Sequence, residues 1–324
     1  MEQRRLGRSG IQVSPLGLGT ARLGVLGWHD EQAPQADPQA EQDAVRQIQA
    51  AVDLGVTLFD TADAYGQGWS ERILGQALRG RHAGILVVTK FGEHPIPDQE
   101  DPWALDAGSV AQKCEASLRR LQVDCLDLYL LHRRDYPLEH APEMVGLLEA
   151  LVQAGKIRYY GWSTNDVARA RIFASGAHCT AIEHRLNVIN DNPAMLELCQ
   201  EHDLASLNRG PLLMGVLAGR WSPETKLAQD DPRAAWFKDA EFLQVLECVR
   251  QIEPYLTSGG RSCTQGALGW IWARSPLTIP LPGFRNLEQM EALVQAMQLG
   301  ALPEGMMREI NARLEAAGFG RGDR

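Results

Sequence analysis

Within "DTADAYGQGWSERILG", residues 60–75, Asp60 and Tyr65 stand in a glycine-rich stretch that follows a short apolar run. A phenol with its ordinary pKa of ~10 is a reluctant proton donor, and a neighbouring ammonium lowers that value, each unit being worth about 1.4 kcal/mol. Lys90, which closes the apolar run "ILVVTK", is the candidate ammonium. A buried lysine needs a counter-charge, which Asp60 supplies, and His132 at the end of "CLDLYLLH" offers an imidazole to orient an oxygen. Together these four side chains would deliver a proton to a carbonyl oxygen, provided a hydride donor lies on the other side of the substrate. Singly, each has a bland account: Asp60 caps a turn, Lys90 is a solvated strand end, His132 is a satisfied buried ring and Tyr65 packs on a rim. Ser163, Glu183 and Asn208 also sit at the ends of apolar runs, and that recurrence favours a shared site.

Convergence requires elements that end at one place. Apolar runs bounded by turn residues predict strands at 14–20, 56–60, 85–90, 125–132, 157–163, 180–184, 204–208 and 277–281. Helical spacing fills the intervals. In 41–55, Val45, Ile48, Ala51 and Val52 share a face and Gly55 stops the helix. In 70–80, Ser70 is expected to cap, Glu71 to complement the positive end of the dipole, and Ile73, Leu74, Ala77 and Leu78 to form the buried stripe. Further helices are expected at 108–121, 141–154, 165–175, 192–202, 240–257, 262–274 and 286–299. Strict alternation without a linker predicts an α/β fold, a single (β/α)8 TIM barrel over residues 1–324, whose strand ends gather on one rim. An N-terminal hairpin over 1–13 turns at "GRSG", and an extra C-terminal helix spans 302–317. An open doubly wound sheet would instead call for G-x-G-x-x-G after an early strand, but Arg22 stands where the third glycine belongs. The polar stretch "GRWSPETKLAQDDPRAA", 219–235, is a candidate lid.

Composition removes other classes. The chain has 324 residues, 44% of them hydrophobic, and a formal charge of −9, which works against nucleic acid and anionic membranes as partners. A small anion remains a suitable ligand, because screening over ~8 to 10 Å lets a few local arginines outweigh a distant negative total. No apolar stretch reaches the ~18 to 20 residues of a membrane span and no secretory signal opens the chain, so the expected location is cytoplasmic. The six cysteines lack metal or disulfide spacing and are expected as reduced core residues. No metal site is expected; a metal-dependent barrel hydrolase would need more ligands than His132, Asp60 and Glu183, with Lys90 repelling the ion. The terminal "RGDR" is accounted for as a polar tail.

The sequence resembles the aldo-keto reductases over nearly its whole length. "RRLGRSGIQVSPLGLGT" is similar to that family's opening hairpin and first strand, "GVTLFDTADAYGQGWSERILG" to its main signature, and "VVTKFG" and "DLYLLHR" to its lysine and histidine segments, in order. The resemblance implies a barrel that binds extended NADP(H), NADPH preferred over NADH, without a Rossmann fold. By position, Tyr65 is the implied acid/base, Lys90 its tuner, Asp60 the partner of Lys90, and His132 the orienting group. "GWST" puts Ser163 where the nicotinamide carboxamide is bound, Thr164 where asparagine is common, and Glu183 where glutamine is usual. A carboxylate there accepts from the carboxamide but cannot donate, so Glu183 is expected to favour the oxidised cofactor. Thr20 ends the first strand and joins the implied cofactor set. "NRGPLLMGVLAGR" is similar to the pyrophosphate wrap, implicating Arg209, Gly210, Pro211, Leu212, Gly215 and Arg220. "PLPGFRNLEQMEAL" is similar to the clamp on the adenosine 2′-phosphate, implicating Gly283, Arg285 and Gln289, while Ala292 and Leu293 replace a usual Glu-Asn pair.

The expected function is an NADPH-dependent oxidoreductase that moves hydride between nicotinamide and a small aldehyde, ketone or sugar carbonyl. The alternative is a nucleotide-sensing or regulatory relative with slow turnover, motivated by the altered carboxamide and adenine positions. Trp28 and His29 are candidate pocket walls.

Overall fold

Each short apolar run forms a strand buried on both faces, one toward a barrel axis and one toward helices. The computed structural model describes residues 2–23, 38–93, 105–222, 224–227 and 231–319; Trp28, His29, the terminal "RGDR" and part of the 219–235 stretch lie outside the described residues. A hairpin of β1 (Arg4–Arg5) and β2 (Gln12–Val13) comes first. Eight parallel strands follow: β3 (Leu18–Gly19), β4 (Leu58–Asp60), β5 (Leu86–Phe91), β6 (Leu126–Leu131), β7 (Ile157–Ser163), β8 (Cys179–Arg185), β9 (Ala205–Arg209) and β10 (Thr278–Pro280). They pair in chain order, and the ring closes where the Gly17 and Gly19 amides donate to the Pro280 and Pro282 carbonyls, both at 3.0 Å. Glycine is needed at 17 because a Cβ there would lie 2.2 Å from Leu58 Cδ2. The fold is the expected (β/α)8 barrel.

Leu58, Leu86, Val88, Leu128, Leu130, Ala181, Ala205, Leu207, Ile279 and Leu281 fill the interior, and Leu6 and Val13 of the hairpin stopper its lower end. Outside run α1 (Pro38–Asp53), α2 (Trp69–Leu78), α3 (Ala107–Leu121), α4 (Ala141–Gln153), α5 (Val167–Ala174), α6 (Pro193–Glu201), α8 (Cys263–Arg274) and α9 (Leu287–Leu299). An added α7 (Ala240–Leu256) and C-terminal α10 (Glu304–Ala316) pack with α8 in a core containing Ile252, Ile271 and Ile310. All six cysteines are free and five are buried. No helix among the described residues is long and apolar enough to cross a membrane.

The expected start of α2 is corrected. Gly68, in the left-handed region, precedes the helix without a side-chain cap, and Ser70 lies inside it. Burial redirects the Ser70 hydroxyl to Thr20, while Glu71 keeps its expected place in the first turn and accepts from Thr89 at 2.6 Å and Arg120 at 2.5 Å.

Candidate active site

Period-two alternation decides which polar side chains meet. Leu58, Val88, Leu130 and Ala181 face the interior, so Asp60, Lys90, His132 and Glu183, each two positions on, lie over the top of the barrel core. Lys90 is fully buried and stands at the centre. Its Nζ lies 2.6 Å from Asp60 Oδ1, 3.2 Å from Tyr65 Oη and 3.4 Å from Glu183 Oε2, and donates to the Thr61 carbonyl at 3.0 Å. An ammonium has three hydrogens, so Thr61, Asp60 and Tyr65 suffice to fix its orientation and Glu183 is a second counter-charge. The Tyr65 ring meets the His132 ring edge-on, centroids 6.0 Å apart.

Electrostatics follow from crowding. Burial alone would discharge Lys90, but Asp60, Glu183 and Tyr65 outweigh it and hold the ammonium's pKa above its ordinary value. Burial pushes the Asp60 carboxyl up to about 8; Lys90 opposes that rise and Glu183 adds to it. Tyr65 departs from expectation. Lys90 pulls its pKa down, yet burial, reinforced by Asp60 and Glu183, pushes the phenol up to about 12. Burial, then the charges of Lys90, Arg134 and Arg209, pushes His132 well below the usual imidazole range, so its ring is neutral.

The expected cofactor residues divide. Ser163 donates to Glu183 Oε1 at 2.9 Å, so one side of this carboxyl is held by β7. Thr20 lies behind Asp60, its hydroxyl donating to the Asp60 carbonyl at 2.8 Å and accepting from Ser70 at 2.7 Å. Thr164 is also buried, its oxygen accepting from the Asp166 amide at 3.1 Å. Asn208 does not join the rim. Leu207 occupies the interior, which turns Asn208 outward onto Ser206 at 2.8 Å and leaves Arg209 on the inner face. Arg209 donates to Asn165 at 3.0 Å. Gly210 and Gly215 have positive φ and open space where a Cβ would be, with Pro211 buried and Leu212 half-buried between them. Arg220, Gly283 and Arg285 are exposed, and Gln289 braces the turn by accepting from the Arg285 amide at 3.1 Å. Leu293 is buried in the core and Ala292 is half-buried.

Residues outside the expected set also contribute. Glu93 Oε2 lies 3.4 Å from His132 Nε2, and its other oxygen is 3.6 Å from Arg134; the run "KFGE" carries it directly past Lys90. The charges of Arg285 and Arg233 reach Arg22, for its pKa is lowered by burial and then by these two, with Asp231 opposing. Arg233 clasps Asp231 at 2.8 and 2.5 Å, donates to the Met214 carbonyl at 3.3 Å and lies over the Trp221 ring. The far arm of the expected lid is thereby latched to the 213–215 loop.

Residues 15–315 match the family model described as the aldo/keto reductase family. The chain belongs to the aldo/keto reductase family. It is 31% identical to the Bacillus subtilis aldo-keto reductase YhdN over 300 residues, covering 90% of this chain and 88% of that one. Among solved structures, the glycerol dehydrogenase from Gluconobacter oxydans superposes with a TM-score of 0.84 at 28% identity, covering 99% and 97% of the two chains. An aldo/keto reductase from Klebsiella pneumoniae in complex with NADP and acetate gives 0.68 at 27% identity, covering 96% and 95%. Aldo/keto reductases are oxidoreductases, and this chain holds a fully buried lysine 3.2 Å from a tyrosine hydroxyl over the barrel core.

Proposed function

We propose that this aldo/keto reductase is an NADPH-dependent oxidoreductase for a small aldehyde, ketone or sugar carbonyl, with Tyr65 as its acid/base. The observation that carries the reading is the 3.2 Å approach of the oriented Lys90 ammonium to Tyr65 Oη. NADP, when bound, supplies or accepts the hydride. The residues present fit it: Arg209 Nε and His132 Nδ1 are buried polar atoms lacking a hydrogen-bond partner, Gly210 and Gly215 leave backbone open to close approach, and the charges of Arg285 and Arg233 reach Arg22 at the far end. Arg209, Gly210, Pro211, Leu212, Gly215 and Arg220 would hold the pyrophosphate, Gly283, Arg285 and Gln289 the 2′-phosphate end, and Ser163 with Glu183 the nicotinamide. The NADP complex of the Klebsiella pneumoniae relative supports this choice.

In reduction, the Tyr65 O–H bond breaks as the substrate oxygen gains a proton. The raised phenol pKa permits this, because an alkoxide is a stronger base than a phenolate. Lys90 then stabilises the phenolate, Asp60 keeps Lys90 charged, and neutral His132 orients the substrate oxygen by a hydrogen bond. Run in reverse, the same groups oxidise an alcohol, and the likeness to a glycerol dehydrogenase supports small polyols in that direction.

The test is NADPH consumption with a reactive aromatic aldehyde. Tyr65→Phe is expected to lower kcat by a factor of roughly 10² to 10⁴ while NADPH binding, followed by fluorescence, stays within a few-fold. Wild-type rates in the variant would remove Tyr65 from its role. Binding without turnover in either protein would favour the slow regulatory reading.

A further inference from the structure

The Asp60–Lys90–Glu183 cluster holds two carboxyls for one ammonium inside a site from which water is largely excluded. Glu183 is 2% exposed, its Oε1 accepts from Ser163 at 2.9 Å, and its Oε2 faces Lys90 Nζ at 3.4 Å. Asp60 Oδ1 lies 2.6 Å from the same Nζ, and neither it nor Glu183 Oε2 has a hydrogen-bond partner among the described residues, so two buried carboxyl oxygens converge on one ammonium. Two carboxylates that face one ammonium in a buried site repel, and retaining a proton on the pair removes a buried net charge.

We propose that Glu183 and Asp60 share a proton beside Lys90, and that this proton recharges Tyr65 from within the site. The step balances without an outside reagent. A Lys90 N–H proton passes to the Tyr65 phenolate, breaking that N–H bond and forming the phenol O–H, and the proton held by the carboxyl pair passes to Lys90, breaking the carboxyl O–H and restoring the ammonium. The pair ends as two carboxylates and Lys90 ends unchanged. Lys90 Nζ is within 3.4 Å of every group involved. An oxidised nicotinamide carries a positive charge that the reduced one lacks, so it favours the fully ionised pair and the reduced form favours the protonated one. Asp60's rise to about 8 agrees with a proton held at neutral pH. Other charges facing the pair are Arg209 from β9 and Glu93 after β5, with Tyr65 from the β4–α2 loop. The inference rests on the oxidoreductase reading, yet it can fail separately.

Calorimetric titration in buffers of different ionisation enthalpy reads the protons exchanged when NADP⁺ or NADPH binds. Subtracting the two cancels phosphate ionisation. At about pH 7 the wild type is expected to release about one more proton with NADP⁺ than with NADPH, and Glu183→Gln close to none. A difference that is absent in the wild type, or persists in Glu183→Gln, overturns the proposal even if turnover is intact. If neither nucleotide binds, the cofactor reading fails and infrared spectra of the free protein decide the matter. The protonated-carboxyl band should then weaken in both Glu183→Gln and Asp60→Asn, while buried Asp63 keeps its own band in all three proteins. Unchanged bands in folded variants, checked by circular dichroism, overturn the shared proton as well.

Discussion

Two buried charge clusters flank the same loop, one inside the barrel and one outside. The inner one crowds Asp60 and Glu183 around Lys90, with Tyr65 on its open side. In the outer one, between β5, α2 and α3, Glu71 receives Thr89 on one oxygen and Arg120 on the other. Asp63, from the Tyr65 loop, joins it with Lys113 and Arg120 nearby, and burial followed by the Glu71 charge pushes its carboxyl up to about 7. The outer cluster gives each Glu71 oxygen a donor, which holds a loop. The inner cluster has more carboxyl than ammonium, which leaves a proton to move. Burial is common to both, so the number of partners per charge separates scaffold from chemistry.

Removing the central cation should have the largest effect. Lys90→Met is expected to lower kcat at least as far as Tyr65→Phe, roughly 10² to 10⁴-fold, and to make stability strongly pH-dependent. Without the ammonium, both carboxyls have folded pKa values above their unfolded ones. Their stability contribution is then present below the unfolded pKa of about 4 and lost as pH rises through the folded values. Urea midpoints should fall steadily from acid to alkaline pH, with a penalty of about 3 to 5 kcal/mol at the alkaline end. A midpoint independent of pH would show that the inner cluster does not hold its carboxyls under strain.

Arg120→Met tests the other half. Stranding Glu71 should cost about 3 kcal/mol of stability and lower kcat far less than Lys90→Met does. If the variant kept its urea midpoint but lost turnover as completely as Tyr65→Phe, the division between scaffold and chemistry would collapse. At the far end of the site, Arg285→Ala should raise KM for NADPH about tenfold and leave that for NADH nearly unchanged, because only the former carries the 2′-phosphate. Equal effects on both cofactors would move Arg285 out of the clamp.

The strands were legible because apolar runs of strand length ended at turn residues, and the same ends located Asp60, Lys90, His132 and Glu183. Alternation would also have turned Asn208 outward, had the count started from Leu207 as an interior residue. Partnerships were less legible. Glu183 was expected toward a cofactor, and nothing in its spacing reveals that β8 also brings it to Lys90. Arg22, Arg233 and Arg285 lie far apart in sequence, and the charges of the latter two reach Arg22 only in the folded chain. The sign of the Tyr65 shift depends on how completely the phenol is desolvated and how many carboxyls surround it, both properties of the packed site.

The smallest expected effect concerns the join between the two clusters. Thr61 donates to Ser70 at 2.9 Å, Ser70 to Thr20 at 2.7 Å, and Thr20 to the Asp60 carbonyl at 2.8 Å. This hydroxyl chain ties the first residue of α2's buried polar face to the backbone that carries both Asp60 and Thr61, the latter already a Lys90 acceptor. Ser70→Ala removes the middle link and leaves Thr20 and Thr61 short of a partner, a loss of about 1 kcal/mol. Because the backbone at Asp60 is also held by the Thr20 amide at 2.9 Å, the inner cluster should shift little. The urea midpoint should therefore drop slightly while kcat stays within about twofold. A large fall in kcat at that small stability cost would mean that the hydroxyl chain sets the Lys90–Tyr65 distance, and the two clusters would then have to be treated as one.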